Sequence, residues 1–528
     1  MPLSTVVLGM VTVAIIRSSE SIDANFRWLF SLLVMVLTGV GLLVWFIFFS
    51  SVRWRIRLIV LGALVLSVFG SSQILRYDGS ADGTAFPRIV WRWTPKRDGT
   101  VGGWPAIPGE VRLTHPGVAT IDYPGFLGPK RDGVVEDVEL EPDWNVHPPE
   151  LLWRHPIGLG WSAFAVAGSN AVTQEQRGEN ELVVCYDLAT GGPLWAHTNR
   201  VRFSERMGGD GPRATPTIAD GRVYSLGATG VLNCLDPASG QLLWSCDTVN
   251  NSNLPMFGKA SSPLVFDNLV VVTGPRLNGP SLLAYRRRDG SLAWQSGTNE
   301  VGYSSPILAT LAGRRQIISL VVGHAAGHDL ADGHILWDYH WRAGEKTVIA
   351  SQPMVLSQDR VLLSAGFFGA GCVMLRVTAD NQGNFSVAEL WKSLNLKTHF
   401  SSAVVREEFA YGLDDGILSC IDLATGKRQW KDGRYGRGQL MRVGSLLLVQ
   451  TEPGPVVLVE ANPAEHREVA RLDALSGKTW NNPAVAGEFL LVRNDQEARC
   501  YRLKMRTVPS RKLAALQQGR HGQAEKRR

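Results

Sequence analysis

Side chains able to bind a ligand recur just before the predicted strands of the C-terminal two thirds of the chain. They comprise two cations, three aromatic rings, a histidine and two amides: Trp161, Arg213, Lys259, Tyr303, Gln352, His399, Trp480 and Asn481. Cations pair with carboxylates, aromatic faces stack on planar groups, and amides set orientation through hydrogen bonds. If the fold brings these residues together, they predict a pocket for a planar anionic ligand.

The same positions have a second interpretation, because Ser or Thr lies beside several of them. Short polar side chains at strand starts also satisfy backbone groups around a water-filled channel. The sequence leaves both interpretations open, and it identifies no catalytic residue.

The six cysteines give little support to haem or metal chemistry. The chain has no Cys-x-x-Cys-His motif for a c-type haem and no Cys-x-x-Cys pair for zinc. His324, His328 and His334 fall at different points of one predicted hairpin, so we expect no metal site there. Four cysteines share one position in the repeats described next and are expected to be buried free thiols. They are Cys185, Cys234, Cys420 and Cys500.

The elements that must position the candidate residues are repeats that end in tryptophan. The pattern Asp-x-x-(Thr/Ser/Asp)-Gly-x-x-x-Trp, or a close variant, ends at Trp195, Trp244, Trp294, Trp337 and Trp430, with a looser copy at Trp391 and a first Trp at 153. The successive spacings are 42, 49, 50, 43, 54 and 39 residues. The Asp can bond the turn backbone, the Gly supplies a positive φ, and an apolar strand follows. We therefore expect hairpins whose tryptophans are buried between neighbouring units.

A second strand pair precedes each hairpin, so each repeat predicts four short strands, as in one propeller blade. The first strands are expected near Phe164, Thr215, Ser262, Ser305, Gln352, Ser402, Leu440 and Asn482. The predicted fold class is all-β: an eight-bladed β-propeller of four-stranded antiparallel blades over residues 146–505, preceded by N-terminal transmembrane helices. Loops before the first strands converge on the central channel, which would gather the candidate residues.

The last predicted blade has only three strands of its own: Ala484–Ala486, Phe489–Val492 and Ala498–Tyr501. Leu151–Trp153 has the apolar-then-Trp ending of a fourth strand, yet no complete blade precedes it. We expect it to pair with Ala498–Tyr501 and close the ring, which removes exposed strand edges. A chain cut before Glu150 is then expected to fold.

The repeats, together with the segment Tyr123–Gly133, resemble those of the PQQ-repeat propellers. That family includes quinoprotein alcohol dehydrogenases and the propeller lipoprotein of the outer-membrane barrel-assembly machinery. The resemblance implies a binding or scaffolding propeller that meets an envelope protein or a small ligand. The alternative it implies is a PQQ-dependent oxidoreductase that passes electrons toward the membrane.

In the enzyme alternative, Arg213 and Lys259 would pair with the carboxylates of PQQ, and Ca²⁺ would accompany the cofactor. The chain departs from that branch, because no two of its cysteines are adjacent and a set of Ca²⁺ ligands cannot be assembled. Its minimal blades match the size of the assembly-factor branch. The binding or scaffolding role is therefore the main hypothesis.

Two apolar runs, Trp28–Phe49 and Ile56–Leu75, are long enough to cross a hydrocarbon core of ~30 Å. Val6–Ile16 is a shorter run that could form a third span. The arginine loop at Arg53–Arg57 predicts a cytoplasmic location by the positive-inside rule. The expected domains are a membrane anchor of two or three helices over 1–77, an extended linker and lead-in over 78–145, the propeller over 146–505, and a basic flexible tail over 506–528.

These features predict a multi-pass protein of the bacterial cytoplasmic membrane, with lipid around its helices and the propeller in the periplasm. The formal net charge of +6 has no nucleic-acid-binding motif beside it, so no nucleic-acid partner is expected. The sequence indicates neither the identity of a partner nor an oligomeric state.

Overall fold

The computed structural model describes residues 2–506 apart from 20–23, 85, 96, 98–100, 102–120, 137, 250–252, 278 and 346–347. The predicted basic tail, beyond Arg506, and part of the predicted linker lie outside the described residues. The described part consists of apolar helices, a β-hairpin, and a ring of eight sheets.

Three helices open the chain: α1 (Pro2–Ser18), α2 (Ala24–Phe48) and α3 (Trp54–Ile74). α2 and α3 are long and apolar enough to cross a membrane, and almost none of their side chains are buried against the rest of the protein. α1 contains the third apolar run and packs beside α2. At this contact a methyl group on Gly9 would lie only 2.6 Å from Thr38 Oγ1.

A β-hairpin, β1 (Leu75–Ser80) and β2 (Pro87–Trp91), continues directly from the end of α3. The sequence predicts an extended linker from residue 78, and the structure instead has paired strands that begin at residue 75. The chain then supplies a short strand, β3 (Val134–Val135), and β4 (Glu150–Pro156), both of which pair with distant parts of the propeller.

Seven blades follow, each with four antiparallel strands that are consecutive in the chain, and the sheet of the seventh also includes β3. Blades one to four are β5–β8 (Ala165–Ala167, Asn170–Arg177, Asn180–Asp187, Pro193–Asn199), β9–β12 (Thr217–Ala219, Arg222–Leu226, Val231–Leu235, Leu242–Asp247), β13–β16 (Leu264–Phe266, Leu269–Thr273, Leu282–Arg286, Leu292–Ser296) and β17–β20 (Ile307–Leu311, Arg314–Val321, His324–His328, Ile335–His340). Blades five to seven are β21–β24 (Met354–Val355, Arg360–Ala365, Gly371–Ala379, Phe385–Ser393), β25–β28 (Val404–Arg406, Phe409–Asp414, Ile417–Asp422, Arg428–Arg434) and β29–β32 (Gln439–Val443, Leu446–Gln450, Val456–Glu460, Glu468–Leu472).

The eighth blade joins the two ends of the ring, as predicted. Its strands are β33 (Ala484–Ala486), β34 (Phe489–Arg493) and β35 (Glu497–Arg502), with β4 as the fourth. β4 runs antiparallel to β35, and Trp153 lies opposite Cys500. The predicted count of eight blades and the closure by sequence-distant strands are therefore confirmed.

Turns between the third and fourth strands form as the Asp and Gly pattern predicts. Asp187 Oδ1 accepts hydrogen bonds from the backbone N–H and the hydroxyl of Thr190, at 2.8 and 2.7 Å. Gly191 then takes φ +68°, a conformation that residues other than glycine rarely adopt. Asp422 and Thr425 repeat the same two bonds in blade six.

Tryptophans of the fourth strands link neighbouring blades. The indole N–H of Trp195 donates to the Pro237 carbonyl at 2.9 Å, and that of Trp244 donates to the Arg287 carbonyl at the same distance. Trp153, Trp294, Trp391 and Trp430 make the same kind of bond to the next blade. Burial of the indole is confirmed for Trp195, Trp244, Trp294 and Trp337, whereas Trp430 is half-buried.

Two blades depart from this arrangement. The indole N–H of Trp337 donates to Gln316 within its own blade, because blade five has a different turn. Blade seven lacks the tryptophan, as its sequence predicts, and Ala470 lies opposite Leu458 in its place. Trp144 of the lead-in belongs to the same hydrophobic cluster as Ala470. Its indole therefore supplies apolar volume on the side of the propeller where the blade has no tryptophan.

The lead-in, residues 121–136 and 138–149, first crosses the end of the channel that lies opposite the starts of the first strands. Tyr123 pairs with Val166 of blade one, and the Arg131 guanidinium donates to the Ser262 and Pro263 carbonyls before blade three. β3 then pairs in parallel with β29 of blade seven, and Leu140 bridges to Met505. One segment thus contacts blades on several sides of the ring.

Candidate functional site

The channel mouth is the end of the central channel at which the first strand of each blade begins. Because the blades are antiparallel, the loops before each first strand and the loops between second and third strands meet at this end. All eight sequence-predicted residues lie in the loops before the first strands or at the starts of those strands. The structure therefore gathers them at one end of the propeller, as the repeats predict.

The tip of the β1–β2 hairpin fills part of the channel mouth. The Gly83 N–H donates to Glu452 Oε1 at 2.6 Å, and the Arg437 guanidinium donates to the Gly83 carbonyl. Lys478 Nζ donates to the Ser80 carbonyl at 3.1 Å. A Cβ atom on Gly83 would lie 2.5 Å from Arg437 Cδ, so only glycine fits this approach.

An aromatic cluster lines the mouth beside the hairpin tip. The Trp161 and Trp480 ring centroids are 4.9 Å apart, and Phe400 lies 4.8 Å from Trp480. Lys478 Nζ lies 4.3 Å from the Trp480 centroid and 5.2 Å from that of Trp161, in cation–π geometry. Burial lowers the pKa of Lys478 to about 8, against the attraction of Glu452, which also accepts the Trp480 indole N–H at 2.8 Å.

Two more predicted residues lie close to this cluster. Asn481 Nδ2 donates to the Ser162 carbonyl at 2.8 Å, next to Trp161. The His399 ring contacts Phe367 edge-on at 4.5 Å, and its Nε2 lies 2.8 Å from Asp415 Oδ1. Hydrogen bonding and charge from His399 lower the pKa of Asp415 although burial opposes them.

The two predicted cations are engaged within their own loops. Lys259 Nζ donates to the Thr273 and Gly274 carbonyls at 2.5 Å each and to Thr273 Oγ1 at 3.0 Å, and burial lowers its pKa to about 7. The Arg213 guanidinium donates to the Gly209 and Gly211 carbonyls at 2.7 and 2.8 Å, and burial lowers its pKa to about 10. These contacts hold the loops of blades two and three in place.

Tyr303 and Gln352 lie on the remaining side of the ring. The Tyr303 hydroxyl accepts the Phe257 N–H at 3.2 Å. Gln352 is buried, and its backbone N–H donates to Ser402 Oγ at 3.0 Å. Among the described residues, neither polar atom of its side-chain amide has a hydrogen-bond partner. Gln352 is thus the predicted residue with the most unused hydrogen-bonding capacity.

Hydroxyl groups at the first strands join adjacent blades. Thr215 Oγ1 accepts the Ala163 N–H at 3.2 Å, and Ser262 Oγ accepts the Thr215 N–H at 2.9 Å. Ser305 Oγ accepts the Ser262 N–H at 2.9 Å in the same way. These contacts support the interpretation in which Ser and Thr satisfy backbone groups around the channel.

Sequence reasoning missed Glu452, Arg437 and Lys478, the three charged residues that hold the hairpin tip. Glu452 lies between a second and a third strand, where no candidates were sought. Lys478 stands two residues before Trp480, and its charge in so aromatic a segment is a signal that could have identified it. The hairpin tip itself gives no such signal, because its partners lie more than 350 residues away along the chain.

The described residues of the mouth do not fit PQQ with Ca²⁺. The cations expected to pair with its carboxylates are bonded to backbone carbonyls. The hairpin tip shares its partners, Glu452 and Lys478, with Trp480, a ring expected to stack on PQQ. The nearby carboxylates, Glu452 and Asp415, already accept bonds from protein groups.

The histidines expected to hold no metal are dispersed around blade four. His328 is buried and bonded to Ser296 and Ser319, and burial lowers its pKa to about 4. Among the described residues, one group could hold an ion: Asp329, Asp332 and His334, in a turn at the opposite end of the blade. Arg314 pairs with Asp329 there.

Every cysteine in the structure is a free thiol. The four at the shared repeat position are buried, as predicted, and so is Cys372, whereas Cys246 is half-buried. Burial raises the pKa of the Cys246 thiol to about 11, so the thiolate is disfavoured even at the most exposed of the six.

Comparisons with known proteins agree on the type of propeller. A family model described as outer membrane protein assembly factor BamB matches residues 146–300, 179–432 and 285–507 in overlapping alignments. The assembly factor BamB of Moranella endobia (strain PCIT) is 25% identical over 283 residues, which are 51% of this chain and 67% of that protein.

Solved structures share the fold at low identity. The crystal structure of BamB from Moraxella catarrhalis matches with a TM-score of 0.50 and 15% identity, over 68% of this chain and 99% of that one. The quinohemoprotein alcohol dehydrogenase ADHIIG from Pseudomonas putida HK5 matches with a TM-score of 0.52 and 13% identity, over 74% and 82%. Both branches of the fold are thus structurally similar to this chain.

Proposed function

Because the chain belongs to the PQQ-repeat family whose model is described as outer membrane protein assembly factor BamB, we propose that it is a binding or scaffolding propeller of the bacterial envelope. The observation that carries this proposal is the hairpin tip in the channel mouth, where Gly83 and Ser80 bond to Glu452 and Lys478. Because the hairpin of the same chain occupies the channel mouth, we expect a partner to bind the outer surface of the propeller.

The anchor of this scaffold is a membrane-spanning bundle. α2 and α3 present nearly all their side chains outward, as lipid-facing helices do. Trp91 and Trp93 stack at 5.2 Å beside the end of α3, to which the Arg92 N–H is joined by a 2.9 Å bond with the Ile74 carbonyl. Exposed aromatic rings at a helix end favour a membrane–water interface, and the arginine loop favours the cytoplasm at the other end.

Reporter fusions test this topology. A reporter active only in the periplasm, fused after Arg506, is expected to be active, and the same reporter fused after Val52 is expected to be silent. The reverse pattern would place the propeller in the cytoplasm and contradict the proposal.

Exposed aliphatic side chains on three neighbouring outer strands offer a surface for an envelope protein. Leu242 of β12, Leu292 of β16 and Ile335 of β20 each lie two residues before the tryptophan of their blade, and each is exposed. Blades five and six carry Glu389 and Arg428 at the equivalent position. The outer rim is thus more apolar on blades two to four than on blades five and six, and we expect the partner to bind on the apolar side.

A photo-reactive amino acid placed at Leu292 or Ile335 tests this surface in cells. We expect a discrete adduct with an envelope protein at these positions, and we expect none at the matched positions 389 and 428. Equal labelling at all four positions, or none at any, would argue against a scaffold that uses this surface.

A further inference from the structure

The anchor contacts the propeller on opposite sides of the channel mouth. Near the start of α2, Arg27 lies 3.9 Å from Asp415 of blade six, and the Phe26 ring lies 5.6 Å from that of Phe368 of blade five. After α3, Ser80 Oγ donates at 2.6 Å to the carbonyl of Met207, in the loop between blades one and two. These loops are four blades apart, half of an eight-bladed ring, so the helices stand over the mouth and not beside the rim.

Loop tips on this same face carry exposed apolar side chains. Met256 and Leu277, from neighbouring loops of blades two and three, are 59% and 42% exposed. Phe368 is 56% exposed and has φ +57°, a conformation that is uncommon for a bulky residue and costs stability. Such side chains gain little from water, whereas burial in an apolar medium stabilises them.

The opposite face differs in chemistry. Its turns carry exposed charged side chains in ion pairs, such as Asp220 with Arg287, Asp267 with Arg315 and Glu407 with Arg406. Charged groups lose their hydration when they enter an apolar medium, whereas apolar tips have none to lose. The two faces of the propeller are therefore suited to different surroundings.

We infer that the channel mouth faces the membrane and that Met256 and Leu277 contact its lipid surface. The inference rests on the proposed membrane span of α2 and α3, and it adds the orientation of the propeller on that membrane. The lipid contact follows from continuity: no linker separates α3 from β1, and the hairpin that follows is bonded into the mouth. A propeller held this way cannot turn its mouth toward the aqueous periplasm without breaking these bonds.

Site-directed labelling of the full chain tests the orientation. The protein carries one introduced cysteine, Met256→Cys or Leu277→Cys, in a Cys246→Ser background whose five remaining native thiols are buried. It is labelled with an environment-sensitive fluorophore and reconstituted into phosphatidylethanolamine and phosphatidylglycerol vesicles. Glu407→Cys, on the opposite face, is the matched control. We expect a lipid-borne quencher to quench labels at 256 and 277 but not at 407, and an aqueous quencher to do the reverse.

Aqueous quenching at 256 and 277 equal to that at 407 would overturn the inference, while lipid quenching at either position and not at 407 would support it. An alkaline wash of the vesicles separates this result from failure of the anchor. Protein that is released by the wash contradicts the membrane span itself, whereas protein that stays bound with water-exposed labels contradicts only the orientation.

Discussion

At the residue scale, turn glycines decide how closely one blade can approach the next. Gly240 has φ +70°, and a Cβ atom there would lie 2.5 Å from the Trp195 ring of the preceding blade. The same tryptophan donates its indole N–H to the turn that Gly240 belongs to, at Pro237. The repeated Gly and Trp of the sequence pattern are thus the two sides of one contact.

We expect Gly240→Ala to destabilise the propeller more than Gly221→Ala does. Gly221 has φ +68° and open space around it, so alanine there incurs only the backbone cost of ~1–2 kcal/mol. Alanine at 240 incurs that cost and must also displace Trp195, which adds about 1–3 kcal/mol. Urea unfolding followed by tryptophan fluorescence would compare the two variants, and equal midpoints would contradict the inter-blade contact.

Lys259 makes the stability of the protein depend on pH. Its pKa is about 7 in the folded protein and near 10.5 when unfolded, so between these values unfolding takes up a proton. Stability therefore rises with pH across that window, by at most about 1.4 kcal/mol per pH unit. Because Lys259→Met lacks this group, the unfolding free energy of the parent relative to the variant should increase between pH 7 and pH 9.5. A difference that stays constant would show that Lys259 remains charged when folded.

The residue scale also shows where sequence reasoning ends. The burial of Trp195 and Trp244 could be predicted, because each repeats at a fixed distance from a turn glycine. The partners of Lys259 could not be predicted, because they are the backbone carbonyls of Thr273 and Gly274. Every residue has a backbone carbonyl, so the amino-acid sequence does not indicate which carbonyls will accept a bond. From the sequence alone, a cation before a strand could therefore bind a ligand or bond to the carbonyls of its own loop.

At the element scale, β4 and the lead-in stabilise the propeller in different ways. β4 completes the eighth blade, whereas the lead-in buries Tyr123, Leu127, Leu140 and Trp144 against the ring. Each fully buried apolar side chain of this size contributes ~1.5–3 kcal/mol. A chain cut before Glu150, which the sequence predicts to fold, therefore loses this contribution.

Truncated chains distinguish the strand pairing made by β4 from the apolar burial made by the lead-in. A chain that begins at Ile121 should be soluble and unfold cooperatively, and one that begins at Glu150 should fold with lower stability. A chain that begins at Gly158 lacks β4, exposes the edge of β35, and should aggregate. Size-exclusion chromatography and thermal unfolding report these outcomes, and a well-folded chain from Gly158 would refute closure by β4.

Elements with a local pattern were predictable, and those with distant partners were not. All eight first strands begin within a few residues of their expected positions, because each precedes a hairpin with a recognisable turn. The β1–β2 hairpin was missed because Asp78-Gly79-Ser80 has the composition of a linker. Its docking depends on Glu452 and Lys478, which no local pattern connects to it.

At the scale of the whole molecule, the filled mouth bears on the oxidoreductase alternative. We expect the purified full chain, mixed with PQQ and Ca²⁺ and then desalted, to retain no quinone absorbance. A PQQ-dependent dehydrogenase treated in the same way is the positive control. Retained absorbance at a one-to-one ratio would show that the hairpin tip can be displaced and would favour the enzyme.

The closure by β4 has a consequence for how the protein is made. β4 ends at Pro156 and its partner β35 begins at Glu497, so the first strand of the ring is synthesised about 340 residues before the strand that pairs with it. At ~5–20 residues per second, this delay is roughly 17 to 70 seconds. During that time the growing chain carries an unpaired strand edge, so synthesis, more than the finished ring, is the stage that is vulnerable to aggregation.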